Sequence, residues 1–147
     1  MRLSYGVTGF YNDKEPPQMD QKNFKQLCYR FATQNHGKLV DIHTHYPANF
    51  YDAQLEMTDT LIYILLNKHY PYLAFASTVE FGNIHFIDNS ILAEYFSPFY
   101  QVLNTNELNT TADSTFLKKT ELNDAELKQI AYWKPETVGQ IIFNHWD

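Results

Sequence analysis

Cysteine is almost missing from this chain: Cys28 is the only one in 147 residues. No disulfide can form within the chain, and nothing points to an oxidising compartment. Long apolar runs are missing too, since none approaches the ~20 residues that cross a bilayer, and Met1-Arg-Leu-Ser-Tyr-Gly6 carries no apolar signal core. A soluble, cytoplasmic protein without membrane contact is the expectation. There is no Gly-rich phosphate loop and no Gly-x-Ser-x-Gly elbow, so no nucleotide or other cofactor is expected and serine nucleophilic catalysis loses its usual signature. Positive charge is scarce where it would matter most. Between Leu39 and Leu117 a single lysine, Lys68, stands against nine acids, a net −8, within a chain whose formal charge is −6. Phosphate backbones would be repelled, so nucleic acid is not expected as a direct partner; a basic protein or cationic ligand is.

What is present is ordinary globular material tilted toward aromatics, 44% hydrophobic with 11 Tyr and 11 Phe. Residues 1–147 are of a size to form a single domain with its own core. Residues 3–11 are rich in β-formers and predict a first strand, followed by a loop holding Pro16-Pro17. Asp20 is placed to cap a helix over 21–36, with Phe24, Leu27, Cys28 and Phe31 on its apolar stripe and Gly37 as its stop. Cys28 on that stripe is a buried, inert thiol. Alternation then predicts strands over 38–46 and 50–57, an all-apolar central strand over 60–66, and further strands over 72–77 and 79–87. The phase slips at Gly82-Asn83, which predicts a bulge or a tight turn there.

From Asn89 the period becomes helical, with Ile91, Leu92, Tyr95, Phe96 and Phe99 on one stripe and Pro98 near its end. Residues 104–114 read as a polar loop and 116–120 as an edge strand. Asn123 with Glu126 forms a capping-box pattern for another helix, and Pro135 suits the first turn of a closing helix bearing Val138, Ile141, Ile142 and His145 on one face. The sum is an α+β domain, a mainly antiparallel sheet from the middle of the chain flanked by about four helices.

Two constellations could carry function. In Asp41-Ile-His43-Thr-His45 the two imidazoles share a strand face, as in the first metal-binding strand of amidohydrolase and related phosphoesterase barrels, which it resembles. A small metal-dependent hydrolase is therefore the alternative function, although such barrels need far more chain and further ligands than are recognisable here. The second constellation is the acidic middle. Asp41, His43 and His45 fall on one outer strand face, with Asp52, Gln54 and Glu56 on the next and Asp59 in the turn that follows. That surface would attract a basic protein quickly. A small-ligand module would instead require an apolar pocket.

The closing stretch, Lys134-Pro-Glu-Thr-Val-Gly-Gln-Ile-Ile-Phe-Asn-His-Trp-Asp147, resembles the C-terminal ending of bacterial immunity proteins of contact-dependent growth inhibition and related polymorphic toxin systems. Pro135, Thr137, Gly139, Phe143, Asn144, Trp146 and Asp147 carry the resemblance, over about a tenth of the chain. It implies a non-enzymatic immunity-type domain: an antidote that binds the C-terminal toxin domain of a cognate effector, many of which are basic nucleases. Phe143 and Trp146 are large apolar groups, better suited to anchoring the last helix in the core than to touching a toxin. Recognition is accordingly expected on Asp41, His43, His45, Asp52, Gln54, Glu56 and Asp59.

Overall fold

A computed structural model describes residues 1–44 and 47–147, with the Thr44 side chain also outside the description. Its sheet runs through the middle of the chain as an antiparallel meander: β1 Lys38–Thr44, β2 Phe50–Met57, β3 Thr60–Asn67, β4 Tyr72–Glu80 and β5 Asn83–Ile87, in that spatial order. A two-residue strand, β6 Gln101–Val102, pairs in parallel with Tyr72 and Leu73 beyond the end of β5 on the same edge of β4. Helices α1 Gln21–Gln34, α2 Ser90–Phe96, α3 Thr105–Leu108, α4 Ser114–Leu117, α5 Asp124–Trp133 and α6 Val138–Ile142 pack around it. The class is α+β, as expected. No helix among the described residues is long and apolar enough to cross a membrane.

Tight turns set the register. Thr58 and Asp59 both have positive φ (32° and 65°) between the paired Met57 and Thr60, the handedness that a two-residue hairpin requires. Gly82 (φ 75°) serves the β4–β5 hairpin, so the phase slip seen in the sequence is a tight turn; the bulge in that pair lies instead between Ala76 and Thr78. β1 is an edge strand broken by a bulge at Val40 and flanked by Lys38 and Asp41, features that discourage pairing with another chain. The bulge also leaves Val40 45% exposed, where simple alternation puts it inward.

Alternation splits the sheet into two packed faces. On the first, Tyr51, Ala53, Leu55, Ile62, Ile64, Leu66, Leu73 and Phe75 meet α1 and α2 through Phe24, Leu27, Phe31, Leu92 and Phe96. Asp20 caps α1 by accepting from the Asn23 N–H, as its sequence position predicts. The residue that ends α1 in left-handed geometry is His36 (φ 56°), not Gly37. Gly37 matters in another way: a Cβ there would lie 2.0 Å from the Met57 sulfur, which would have to move aside, and 3.0 Å from the Glu56 carbonyl. On the second face, Phe50, Leu65, Tyr72, Ala74 and Ala76 meet the N-terminal segment and α3, α5 and α6.

Several expected elements differ. Residues 3–11 form turns, not a strand: Gly6 and Gly9 take positive φ (82° and 93°), and the Gly6 and Thr8 amides bind a carboxylate rather than a neighbouring strand. The polar stretch 104–114 contains α3, and the edge strand expected over 116–120 is replaced by α4 and the turn after it; side chains of Asn104 and Asp113 cap these short helices. The helices number six among the described residues, not four, because two are single turns started by such caps. Ile91 and Phe99 lie outside the core, 64% and 48% exposed, while Leu92 and Phe96 of the same helix are buried. Pro135 precedes the last helix instead of opening it; Thr137 is the cap, with Gln140 completing a capping box.

Candidate functional site

Coverage of the second face stops short of β1 and β2. One cross-strand row, Asp41, Gln54, Tyr63, Ala76, Phe86, runs from an exposed acid at the open edge to an aromatic ring packed under the C-terminal segment. On the open half Asp41, Glu56 and Asp59 are exposed, and His43 and Gln54 are half-buried. Five of the seven expected recognition residues therefore share an accessible acidic strip. His45 lies outside the described residues.

Asp52 departs from expectation. It shares the face of Gln54 and Glu56, as alternation requires, yet it is only 1% exposed. Its cross-strand neighbour His43 closes over it, with Nδ1 2.7 Å from Asp52 Oδ1, while His43 Nε2 lies 2.9 Å from Asp41 Oδ2. A carboxylate at each ring nitrogen favours the protonated imidazole, in which both N–H groups donate. Partial burial works to lower the His43 pKa, but the hydrogen bond and charge of Asp52, followed by Asp41, outweigh it and raise the value above that of an ordinary histidine. Both nitrogens are thus occupied by anions, a poor arrangement for a metal ligand. Among the described residues no group of three His, Cys, Asp or Glu side chains could hold a metal ion.

Four of the resembling C-terminal residues, Thr137, Gly139, Phe143 and Asn144, take positions that shape the fold. Thr137 caps α6. Gly139 approaches so closely that a Cβ would sit 2.8 Å from Phe86 and 3.0 Å from the Leu108 carbonyl. Phe143 is 2% exposed, with its ring set edge-on to Phe50. Asn144 belongs to a buried amide network absent from the sequence-based expectations. Asn49 accepts from the Asn144 N–H (2.7 Å) and donates to the Val7 and Ile142 carbonyls. Asn67 donates to the same two carbonyls and accepts from the His69 and Tyr70 amides. Asn144 donates to Ile141 and accepts from the Trp146 amide. Three asparagines thereby tie the sheet, the N-terminal turns and the last segment together.

A second lock is Glu126. Its capping position was legible, but its carboxylate is also fully buried and accepts from the Gly6 and Thr8 amides, the Thr8 hydroxyl, and the backbone and side chain of Asn123. Among the described residues these hydrogen bonds, and no ion pair, satisfy the carboxylate. The only sequence signal for it is the Asn123-x-x-Glu126 spacing, which announces the cap and not the second partner.

The same C-terminal stretch also forms one wall of a cleft of about 390 Å³. Trp133 and Trp146 line it with indole planes parallel to 3° and ring centroids 6.3 Å apart. Phe81, 68% exposed in the β4–β5 turn, lies over His145 with ring centroids 5.1 Å apart, and Lys134, Glu136 and Gln140 stand at the rim. Periodicity could not reveal this cleft, because its walls come from a hairpin turn, the end of α5 and the final residues.

No protein-family model matches the chain, no curated protein matches it, and no solved structure matches it.

Proposed function

We propose that this chain acts by binding: an immunity protein that neutralises the C-terminal toxin domain, a basic nuclease, of a cognate contact-dependent growth inhibition effector. The observation that carries this reading is the accessible acidic strip of Asp41, Gln54, Glu56 and Asp59 on an otherwise covered sheet. It lies within a segment of net charge −8, a field that accelerates encounter with a basic partner. The C-terminal resemblance supplies the biological setting. Asp52 supports the strip from beneath by holding His43, and does not itself contact the partner.

The test is growth rescue. A toxin domain encoded in the neighbouring reading frame is induced with and without this chain, and the purified pair is examined for a complex. Rescue together with a one-to-one complex is expected. Toxicity that persists with the chain fully expressed, and no complex at micromolar concentration, overturns the reading.

A further inference from the structure

We infer that the cleft beside the C-terminal segment is an anchor pocket for one arginine side chain of the basic partner, seated on the tryptophan walls and charge-paired with Glu136. This rests on the antidote reading and adds to it a second contact point with defined chemistry. The walls are flat and aromatic: Trp133 and Trp146 present parallel planes, with Phe81 and His145 beside them. A guanidinium is planar, weakly hydrated and stacks on aromatic faces, tryptophan best of all, whereas a compact, strongly hydrated ammonium gains less from such walls.

Polar groups at the rim suit the same ligand. Glu136 is exposed, and among the described residues its carboxylate has no hydrogen-bond or ion-pair partner; its backbone N–H donates to Gln140 Oε1 at 2.6 Å and its backbone carbonyl accepts from the Ala112 N–H at 3.0 Å. The carboxylate can accept the fork of N–H donors that arginine offers. Among the described residues lining the cleft Lys134 is the one lysine or arginine, and it is exposed, so its long stem can carry the ammonium into solvent. Glu80, exposed next to Phe81, tips the local balance toward negative charge.

Size and position agree. A volume of about 390 Å³ is near the lower end of ligand sites, room for one long side chain and its water but not for a folded element. The pocket also lies on the sheet face that carries the acidic strip: His145 packs against Phe50, ring centroids 5.1 Å apart, and Phe50 shares its strand face with Asp52, Gln54 and Glu56. One partner surface can therefore reach both. An arginine in a pocket, rimmed by weaker polar contacts, is a common form for the few residues that dominate an interface.

The chain has two tryptophans and both line the cleft, so intrinsic tryptophan emission reports on this site alone. The full chain is titrated with N-acetyl-arginine amide, and with N-acetyl-citrulline amide as a neutral probe of nearly the same shape. A saturable emission change in the millimolar range is expected for the arginine compound, with binding at least about tenfold weaker for citrulline and for Glu136→Lys. No saturable change, or equal affinity for the two compounds, overturns the inference. So does an unaltered response of Glu136→Lys, whose fold is checked by its thermal melt; Glu136→Gln gives an intermediate affinity if the charge pairing holds. Because the titration requires no toxin, its failure leaves the antidote reading standing, and failed growth rescue beside a positive titration removes that reading and keeps the pocket.

Discussion

The second face of the sheet has two halves that obey different rules. Over β3 to β5 and the start of β2 it is closed by α3, α5, α6 and the final residues, with Phe50 and Phe86 both against Phe143 and every buried amide of Asn49, Asn67 and Asn144 hydrogen-bonded. Over β1 and the rest of β2 the same face carries Asp41, His43, Gln54 and Glu56, and among the described residues no element packs on it as a layer. The closed half contains the residues that give the chain its resemblance. The open half leaves acidic side chains exposed, and in the proposed recognition the C-terminal stretch adds Trp146 through the cleft. The cleft lies between the β4–β5 hairpin and the C-terminal segment.

The sharpest way to break this comparison is through stability. Asn144→Ala removes a donor from the Ile141 carbonyl and leaves the Trp146 amide without its acceptor, inside a network that is 4% exposed at Asn144. Loss of buried hydrogen bonds of this kind costs about 2–4 kcal/mol. That corresponds to a melting temperature lower by ~5–12 °C in a domain of this size. Glu56→Lys, on the open half, should move the same melt by no more than ~2 °C, since an exposed strand position away from buried groups changes stability by about 0.5 kcal/mol. Equal losses from the two substitutions would show that the strip is structural after all.

Kinetics sharpen the other side. Reversing Glu56 and Asp59 together should slow association with the cognate toxin domain by about tenfold at low ionic strength, with the two proteins converging as salt screens the field. Dissociation should change less. If stopped-flow association is the same for both at low salt, recognition does not use this strip.

How much of this was legible in the sequence follows from which interactions are local. The strands β2 and β3, the presence of β4 and β5 though not the boundary between them, the capped starts of α1 and α5 and the central position of β3 all follow from period, caps and turn residues. What the sequence hid was long-range pairing. Asp52 alternates outward, and only the cross-strand position of His43 buries it. Residues 3–11 have the composition of a strand, but their amides are taken by Glu126, more than a hundred residues later. Asn49, Asn67 and Asn144 look like three unrelated turn residues until the fold brings them onto the Val7, Ile141 and Ile142 carbonyls. The cleft likewise needs Phe81 and Trp146 to meet across the fold.

The smallest expected effect is a pair of opposite pH dependences, one from each half. His43 on the open half has a raised pKa, so between about pH 6.5, the unfolded value, and its folded value the native state binds more protons. Its contribution is fully present below about pH 6.5 and is lost as pH rises through the folded pKa; its side chain is 35% exposed, so solvent screening keeps it modest. His69, beneath the N-terminal segment with Nδ1 2.9 Å from the Pro17 carbonyl, behaves in the reverse sense. Burial lowers its pKa, aided by the Lys68 charge and opposed by the Pro17 hydrogen bond, so the native state binds fewer protons just below about pH 6.5. Stability from His69 is present above that pH and lost as pH falls. Thermal melts of the parent chain across pH 5 to 9 should therefore show a shallow maximum near about pH 6.5. His43→Gln should flatten only the alkaline side and His69→Gln only the acid side. An alkaline limb that survives His43→Gln would mean that the imidazolium between Asp41 and Asp52 contributes nothing to the fold.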